Sequence, residues 1–229
     1  MESSLIKDIQ GFVFDIDGTL LNTLPEIAES VNSVRVKYNL QPHPVEDYRN
    51  FVGAGVETLV QRAFQISSSH PDFQQILSDV MDQYIKNFGK YSSLFPGIPE
   101  ILDSLVKDSY YIGLLSNKPQ IMADQTAKTF FSNYPLHPVL GAQDDIPLKP
   151  HPWGLENISK KWNLLPAQIA FVGDSVIDVQ TAKAFGAVSV AVSWGFCNAP
   201  VLAKQQPDFL IHTHQEFIHT LFNPAQESV

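Results

Sequence analysis

Two carboxylates one residue apart close the first apolar run of the sequence. Residues 12–20 read FVFDIDGTL, with Asp15 and Asp17 ahead of Gly18 and Thr19. A buried carboxylate is costly unless it is paired, hydrogen-bonded or bound to a cation. Alternate residues of an extended strand share a side, but a turn at Gly18 makes the two positions close without being equivalent. One nucleophile and one proton-transfer group suit such a pair. A strand that ends in a solvated Asp-Gly turn has the same local pattern, and these nine residues do not separate the two readings.

The surrounding elements decide where such a pair can sit. Five short apolar runs read as buried strands: 11–14, 111–115, 169–172, 189–192 and 209–211. Several end in a polar residue or glycine, at Asp15, Ser116, Gly173 and Ser193. Continuous apolar runs of this kind suit a parallel sheet covered on both faces, and ligands collect beyond the carboxyl ends of its strands. Helical patterns at 98–106 and 178–185 lie between later strands, the second stopping at Gly186. The fold class is α/β, a doubly wound Rossmann-like parallel sheet. Asp15 and Ser116 are 101 residues apart, whereas a crossover needs only about 30. The surplus holds helical patterns at 25–38, 56–64 and 73–88. We expect residues 22–92 to form a small inserted helical cap domain, with 1–21 and 93–229 as the core. Hinges are expected near 21–24 and 91–97.

Composition narrows the function. The chain has 229 residues, 44% hydrophobic and 17% charged, enough to bury a core. Fifteen Lys and Arg against 24 Asp and Glu give a formal charge of −9, so neither nucleic acid nor an anionic bilayer is an expected partner. A single cysteine, Cys197, excludes an intrachain disulfide. No stretch of about 18 apolar residues is present, and the first residues lack the form of a signal peptide. The expected location is the cytoplasm.

Four segments in order resemble the haloacid dehalogenase-like hydrolase superfamily over residues 10 to 215. They are Asp15-Ile16-Asp17-Gly18-Thr19-Leu20, then Ser116-Asn117-Lys118-Pro119, then Lys149-Pro150-His151-Pro152, and finally Gly173-Asp174-Ser175 with Asp178. The resemblance implies that Asp15 attacks phosphorus and that Asp17 protonates the leaving oxygen, then helps activate water. It implies phosphate contacts from Gly18, Thr19, Ser116, Asn117 and Lys149. Mg²⁺ is the implied cofactor, held by the Asp15 side chain, the Asp17 backbone carbonyl and the Asp174 side chain. Asp178 and Ser175 would support that shell from behind. Physics agrees that positive charge is required: repulsion between a phosphate charge and a carboxylate at about 4 Å is about 4 kcal/mol at an effective dielectric of 20.

Within the superfamily the chain is most similar to phosphoglycolate phosphatase-like enzymes. Ser116-Asn117-Lys118-Pro119, the segment 182–186 (AKAFG), Trp194-Gly195 and the segment 53–60 (GAGVETLV) carry that likeness. Asn22 stands where many relatives have an acidic residue. The implied substrate is a small phosphorylated metabolite, with phosphoglycolate leading. Alternatives are a phosphosugar mutase of the β-phosphoglucomutase type, a pyrophosphatase or a nucleotidase. The expected state is a monomer or homodimer. Gly53 and Gly55 could aim backbone N–H groups at a substrate or simply start a helix. Arg62 could meet a substrate carboxylate or be an ordinary helix residue. His212 and His214 lack a third metal ligand. His151 reads as a turn residue, Lys37 as an ordinary helix residue, and Trp153, Trp162 and Phe171 as core.

Overall fold

A computed structural model describes residues 6–222. The ends of the expected core segments, 1–5 and 223–229, lie outside these residues. Six parallel strands form the main sheet: β1 (Gly11–Phe14), β4 (Tyr111–Pro119), β5 (Leu136–Ala142), β6 (Ile169–Gly173), β7 (Val188–Val192) and β8 (Phe209–Ile211). Their order across the sheet is β5-β4-β1-β6-β7-β8. Strand β1 lies between β4 and β6, with Phe14 opposite both Leu114 and Val172. The strand order reverses there, and such a reversal opens a crevice at the carboxyl edge.

Both faces of the sheet are covered, which explains the unbroken apolar runs. Phe12 and Phe14 enter one hydrophobic cluster with helices α4 (Ile98–Lys107) and α9 (His214–Phe222). Val13, between them, enters a second cluster with Phe171, Leu115 and helix α6 (Trp153–Trp162). Helices α5 (Gln120–Phe130), α7 (Val176–Phe185) and α8 (Ala199–Ala203) complete the layers. Trp162 and Phe171 are buried, and Trp153 packs at the cluster edge.

Strand β5 was not among the expected strands. It carries Pro138, and only Pro138 and Leu140 of its residues are buried. Proline is confined to sheet edges, and β5 is an edge strand. Strand β4 also runs past Leu115 to Pro119, so Ser116, Asn117 and Lys118 lie on the strand and not beyond it.

The segment between β1 and β4 is helical. Helices α1 (Leu24–Lys37), α2 (Val56–Phe64) and α3 (Phe73–Asn87) share a cluster that includes Leu24, Val31, Val60, Phe73 and Val80. Phe196 and Met122 of the sheet-bearing part also enter it. The chain leaves through β2 (Leu21–Asn22) and returns through β3 (Ser93–Leu94), which pair antiparallel with Leu21 opposite Leu94. Pro25 opens α1, Glu26 sits in its first turn, and Arg35 and Lys37 sit in its last. That arrangement suits the helix dipole. Among the described residues, no helix is long and apolar enough to cross a membrane.

Candidate active site

The carboxyl ends of β1, β4 and β6 converge on one cavity of about 110 Å³. Asp15 and Asp17 follow β1, Ser116 to Lys118 end β4, and Asp174 follows β6; all line it, as does Lys149. The Asp15 N–H donates to Val172 O at 2.9 Å, which carries β1–β6 pairing up to the nucleophile candidate.

Asp15, Asp174 and Asp178 are buried, with one carboxylate oxygen of each inside a 4.8 Å group. Burial pushes the Asp15 carboxyl from 3.8 up to about 6, Lys149 pulls against it, and the charges of Asp178 and Asp17 add to the rise. Burial, then Asp178 and Asp15, raise Asp174 well above the usual range. Lys149 is the internal counterion. Its Nζ lies 2.8 Å from Asp15 Oδ1 and 2.7 Å from Asp178 Oδ1. Burial alone would lower the Lys149 ammonium, but the two carboxylates outweigh it and hold the group charged.

One cation cannot balance three buried carboxylates. Asp15 Oδ1 is buried and has no aligned hydrogen-bond donor, despite the nearby Lys149 charge. The uncompensated charge, in a cluster made of hard oxygen donors, fits a divalent cation of the Mg²⁺ kind. Asp178 is already in use. Helix α7 starts with a capping box in which Ser175 Oγ accepts from the Asp178 N–H and Asp178 Oδ2 accepts from the Ser175 N–H and Oγ. Asp178 therefore opens its helix and holds Lys149 at once.

Asp174 is fixed by two donors. Thr19 Oγ1 donates to its Oδ1 at 3.0 Å, and the Phe196 N–H donates to its Oδ2 at 2.7 Å. The Thr19 hydroxyl, expected at the phosphate, is fully buried and spent on Asp174. A Cβ on Gly18, which has φ +91°, would overlap the Asp174 carboxylate. Gly18 thus makes room for the Asp174 carboxylate.

Asn117 lines the cavity, and its amide is bonded within the protein. Its Nδ2 donates to Lys149 O at 3.0 Å and Gly53 O at 3.1 Å, while its Oδ1 accepts from the Lys149 N–H at 2.8 Å. The amide thus holds the Lys149 loop and touches the helical insert. Ser116 Oγ accepts from the Lys118 N–H at 3.3 Å and faces the cavity. Ser116 does not cap α5, whose N-cap is Pro119.

Of the glycines in the insert, Gly55 is the N-cap of α2 at φ +89°, and both Gly53 and Gly55 line the cavity. Arg62 does not. Its Nη1 donates to Asn50 O and lies on the exposed side of α2. Lys37 pairs with Asp79 on the surface. His212 Nδ1 lies 2.8 Å from Ser193 Oγ. Cys197 is half-buried at the cavity rim, and burial raises its thiol.

Three residues gain a role here that sequence reasoning did not assign. Lys118 Nζ donates to Asp17 Oδ1 at 2.8 Å and to Tyr84 Oη at 2.5 Å. Burial pulls this ammonium down, but Asp17 and Tyr84 more than offset it. Arg49, also at the cavity, donates to Gly195 O at 2.9 Å. A lysine ending an apolar strand run was the available signal for Lys118; Tyr84 and Arg49 had none.

Residues 12–192 match the haloacid dehalogenase-like hydrolase family. A phosphoglycolate phosphatase of Mannheimia succiniciproducens is 31% identical over 212 residues, covering 90% of this chain and 95% of that one. A crystal structure from Haemophilus somnus, described as a predicted phosphoglycolate phosphatase, superposes with a TM-score of 0.84 at 27% identity. It covers 92% of this chain and 97% of its own. A Bacteroides vulgatus protein provisionally assigned as a β-phosphoglucomutase superposes at 0.74 with 17% identity, over 99% of this chain and all of that one, a likeness in fold alone. With its acidic cluster beyond the central strands, the chain belongs to the haloacid dehalogenase-like hydrolases, as a phosphatase of that family.

Proposed function

We propose that the protein hydrolyses a small phosphomonoester, with phosphoglycolate as the leading substrate, through a phospho-aspartate on Asp15. The observation that carries this reading is the pairing of each β1 carboxylate with its own buried lysine, Asp15 with Lys149 and Asp17 with Lys118. The two carboxylates thus have separate surroundings, as separate roles require.

Asp15 attacks phosphorus while the P–O bond to the leaving group breaks. Asp17 gives its proton to the leaving oxygen. Water then attacks phosphorus, Asp17 takes up the water's proton, and the bond to Asp15 breaks to release inorganic phosphate. Lys149 offsets charge on the phosphoryl oxygens, and Ser116 Oγ faces the same cavity as a donor. Asp15, Asp174 and the Asp17 backbone carbonyl would hold Mg²⁺, with Asp178 and Ser175 behind them. When bound, that ion supplies two further positive charges beside the transferring phosphoryl group.

Residues 22–92 act as the cap in this reading, turning on the paired segments β2 and β3. Arg49, Gly53 and Gly55 present the cap's polar face to the cavity, and Val52, Val56 and Leu59 its apolar face. An apolar roof of that kind suits a substrate with a short organic portion and excludes water. The name of the Mannheimia succiniciproducens relative supports phosphoglycolate as that substrate.

Phosphate release from a panel of phosphoesters, with Mg²⁺ and with chelator, tests the reading. We expect metal-dependent release, fastest for phosphoglycolate among small substrates. Isomerised sugar phosphate without free phosphate would replace hydrolysis by the mutase reaction. No release from any ester by folded protein would overturn the proposal.

A further inference from the structure

Lys118 has a burial and a bonding pattern that an ordinary strand-end lysine lacks. Its side chain is 2% exposed, whereas that of Asp17 is 19% exposed. The Nζ donates to Asp17 Oδ1 from the carboxyl end of β4 and to the Tyr84 hydroxyl on α3. It also lies 4.9 Å from the centre of the Tyr84 ring. One ammonium therefore joins the Asp17 carboxylate to helix α3 of the insert.

We propose that Lys118 is a positioning residue for Asp17, and that Tyr84 supplies the insert's half of that support. This rests on the phosphatase reading above. A carboxyl with one oxygen fixed by a buried ammonium cannot swing, and its second oxygen is aimed. Asp17 Oδ1 is the fixed oxygen, so Oδ2 is the one that exchanges a proton with the leaving group or with water. A bond from Nζ to Oδ1 is compatible with either protonation state of Oδ2. Tyr84 stands on α3 of the insert, so the aim of Asp17 depends on the insert being seated over the core. Proton transfer is then coupled to seating by one hydrogen bond of 2.5 Å and one of 2.8 Å.

The test uses leaving-group acidity, which a merely structural role would not move. Ethyl phosphate and trifluoroethyl phosphate are both small, but only the ethoxide leaving group strongly needs a proton. The readout is kcat/KM, which covers formation of the phospho-aspartate and excludes its hydrolysis. In Lys118→Met we expect the trifluoroethyl-to-ethyl ratio to rise by about tenfold or more, within the range general acid catalysis supplies. Tyr84→Phe keeps the ring and should raise the ratio in the same direction by less. In the Asp17→Asn background, Lys118→Met should change the ratio no further, because both act through one group.

Equal loss on both esters in Lys118→Met would overturn the proposal, as would a further rise in the double variant. An unchanged ratio in Tyr84→Phe would remove the insert from the arrangement. If Lys118→Met does not fold, Tyr84→Phe decides alone. Failure of wild-type protein to release phosphate from any ester would instead sink the phosphatase reading, so the two failures are distinguishable.

Discussion

Lys149 Nζ lies 2.8 Å from Asp15 Oδ1 in a pocket that also buries Asp174 and Asp178. The ammonium offsets one negative charge of a cluster that carries three when ionised. The remaining imbalance would favour a cation beside the cluster.

Removing that counterion should therefore cost stability as well as rate. Lys149→Met leaves Asp15 and Asp178 without their shared partner. Breaking a buried ion pair from one side costs about 3–5 kcal/mol. We expect a large fall in melting temperature in chelator at neutral pH and a partial recovery on adding Mg²⁺. A melting temperature equal to wild type in chelator would show that Lys149 does not hold the cluster.

Acid should compete with the metal. Asp15 is pushed up to about 6 and Asp174 also lies high, so in the metal-free protein both bind protons more tightly than in the unfolded chain. The sign follows: between 3.8 and about 6 the folded state holds more protons from Asp15, so this group's contribution to stability grows as pH falls. Mg²⁺ needs the ionised forms, so its affinity should drop as pH falls through about 6, with proton release on binding. Calorimetric titration at several pH values in buffers of different ionisation enthalpy measures both. An affinity that stays flat from pH 7.5 to 5 would contradict the assignment, allowing about half a unit on each pH.

The loop after β7 should be equally intolerant. A Cβ on Gly195 would overlap the Gly18 carbonyl oxygen and the Asp174 carboxylate, neither of which can move freely. Gly195→Ala should destabilise the protein by about 1–3 kcal/mol and weaken metal binding through Asp174. Thermal melts with and without Mg²⁺ would show a smaller metal-induced shift than in wild type. An undiminished shift would mean that the loop accommodates the methyl group without disturbing Asp174.

Much of this arrangement is legible in the residues themselves. Strands β1, β6 and β7 announce themselves because burial on both faces leaves no polar alternation, and their polar or glycine ends mark the carboxyl edge. The long gap before Ser116 announces the helical insert. Strand β5 does not announce itself, because an edge strand needs few apolar residues and tolerates Pro138. The roles of Thr19, Asn117 and Lys118 depend on partners far along the chain. Thr19 meets Asp174 across 155 positions, Asn117 meets Lys149 across 32, and Lys118 meets Asp17 across 101. Spacing along the sequence carries no trace of which of two adjacent polar residues faces the cavity and which turns back to hold a loop.

The nucleophile is tested most directly by Asp15→Asn, which keeps the side-chain shape and removes the attacking oxygen. Phosphate release from phosphoglycolate in Mg²⁺ should fall by at least about a thousandfold, while circular dichroism and melting show folded protein. Release at a rate within about tenfold of wild type would contradict Asp15 as the group that receives the phosphoryl.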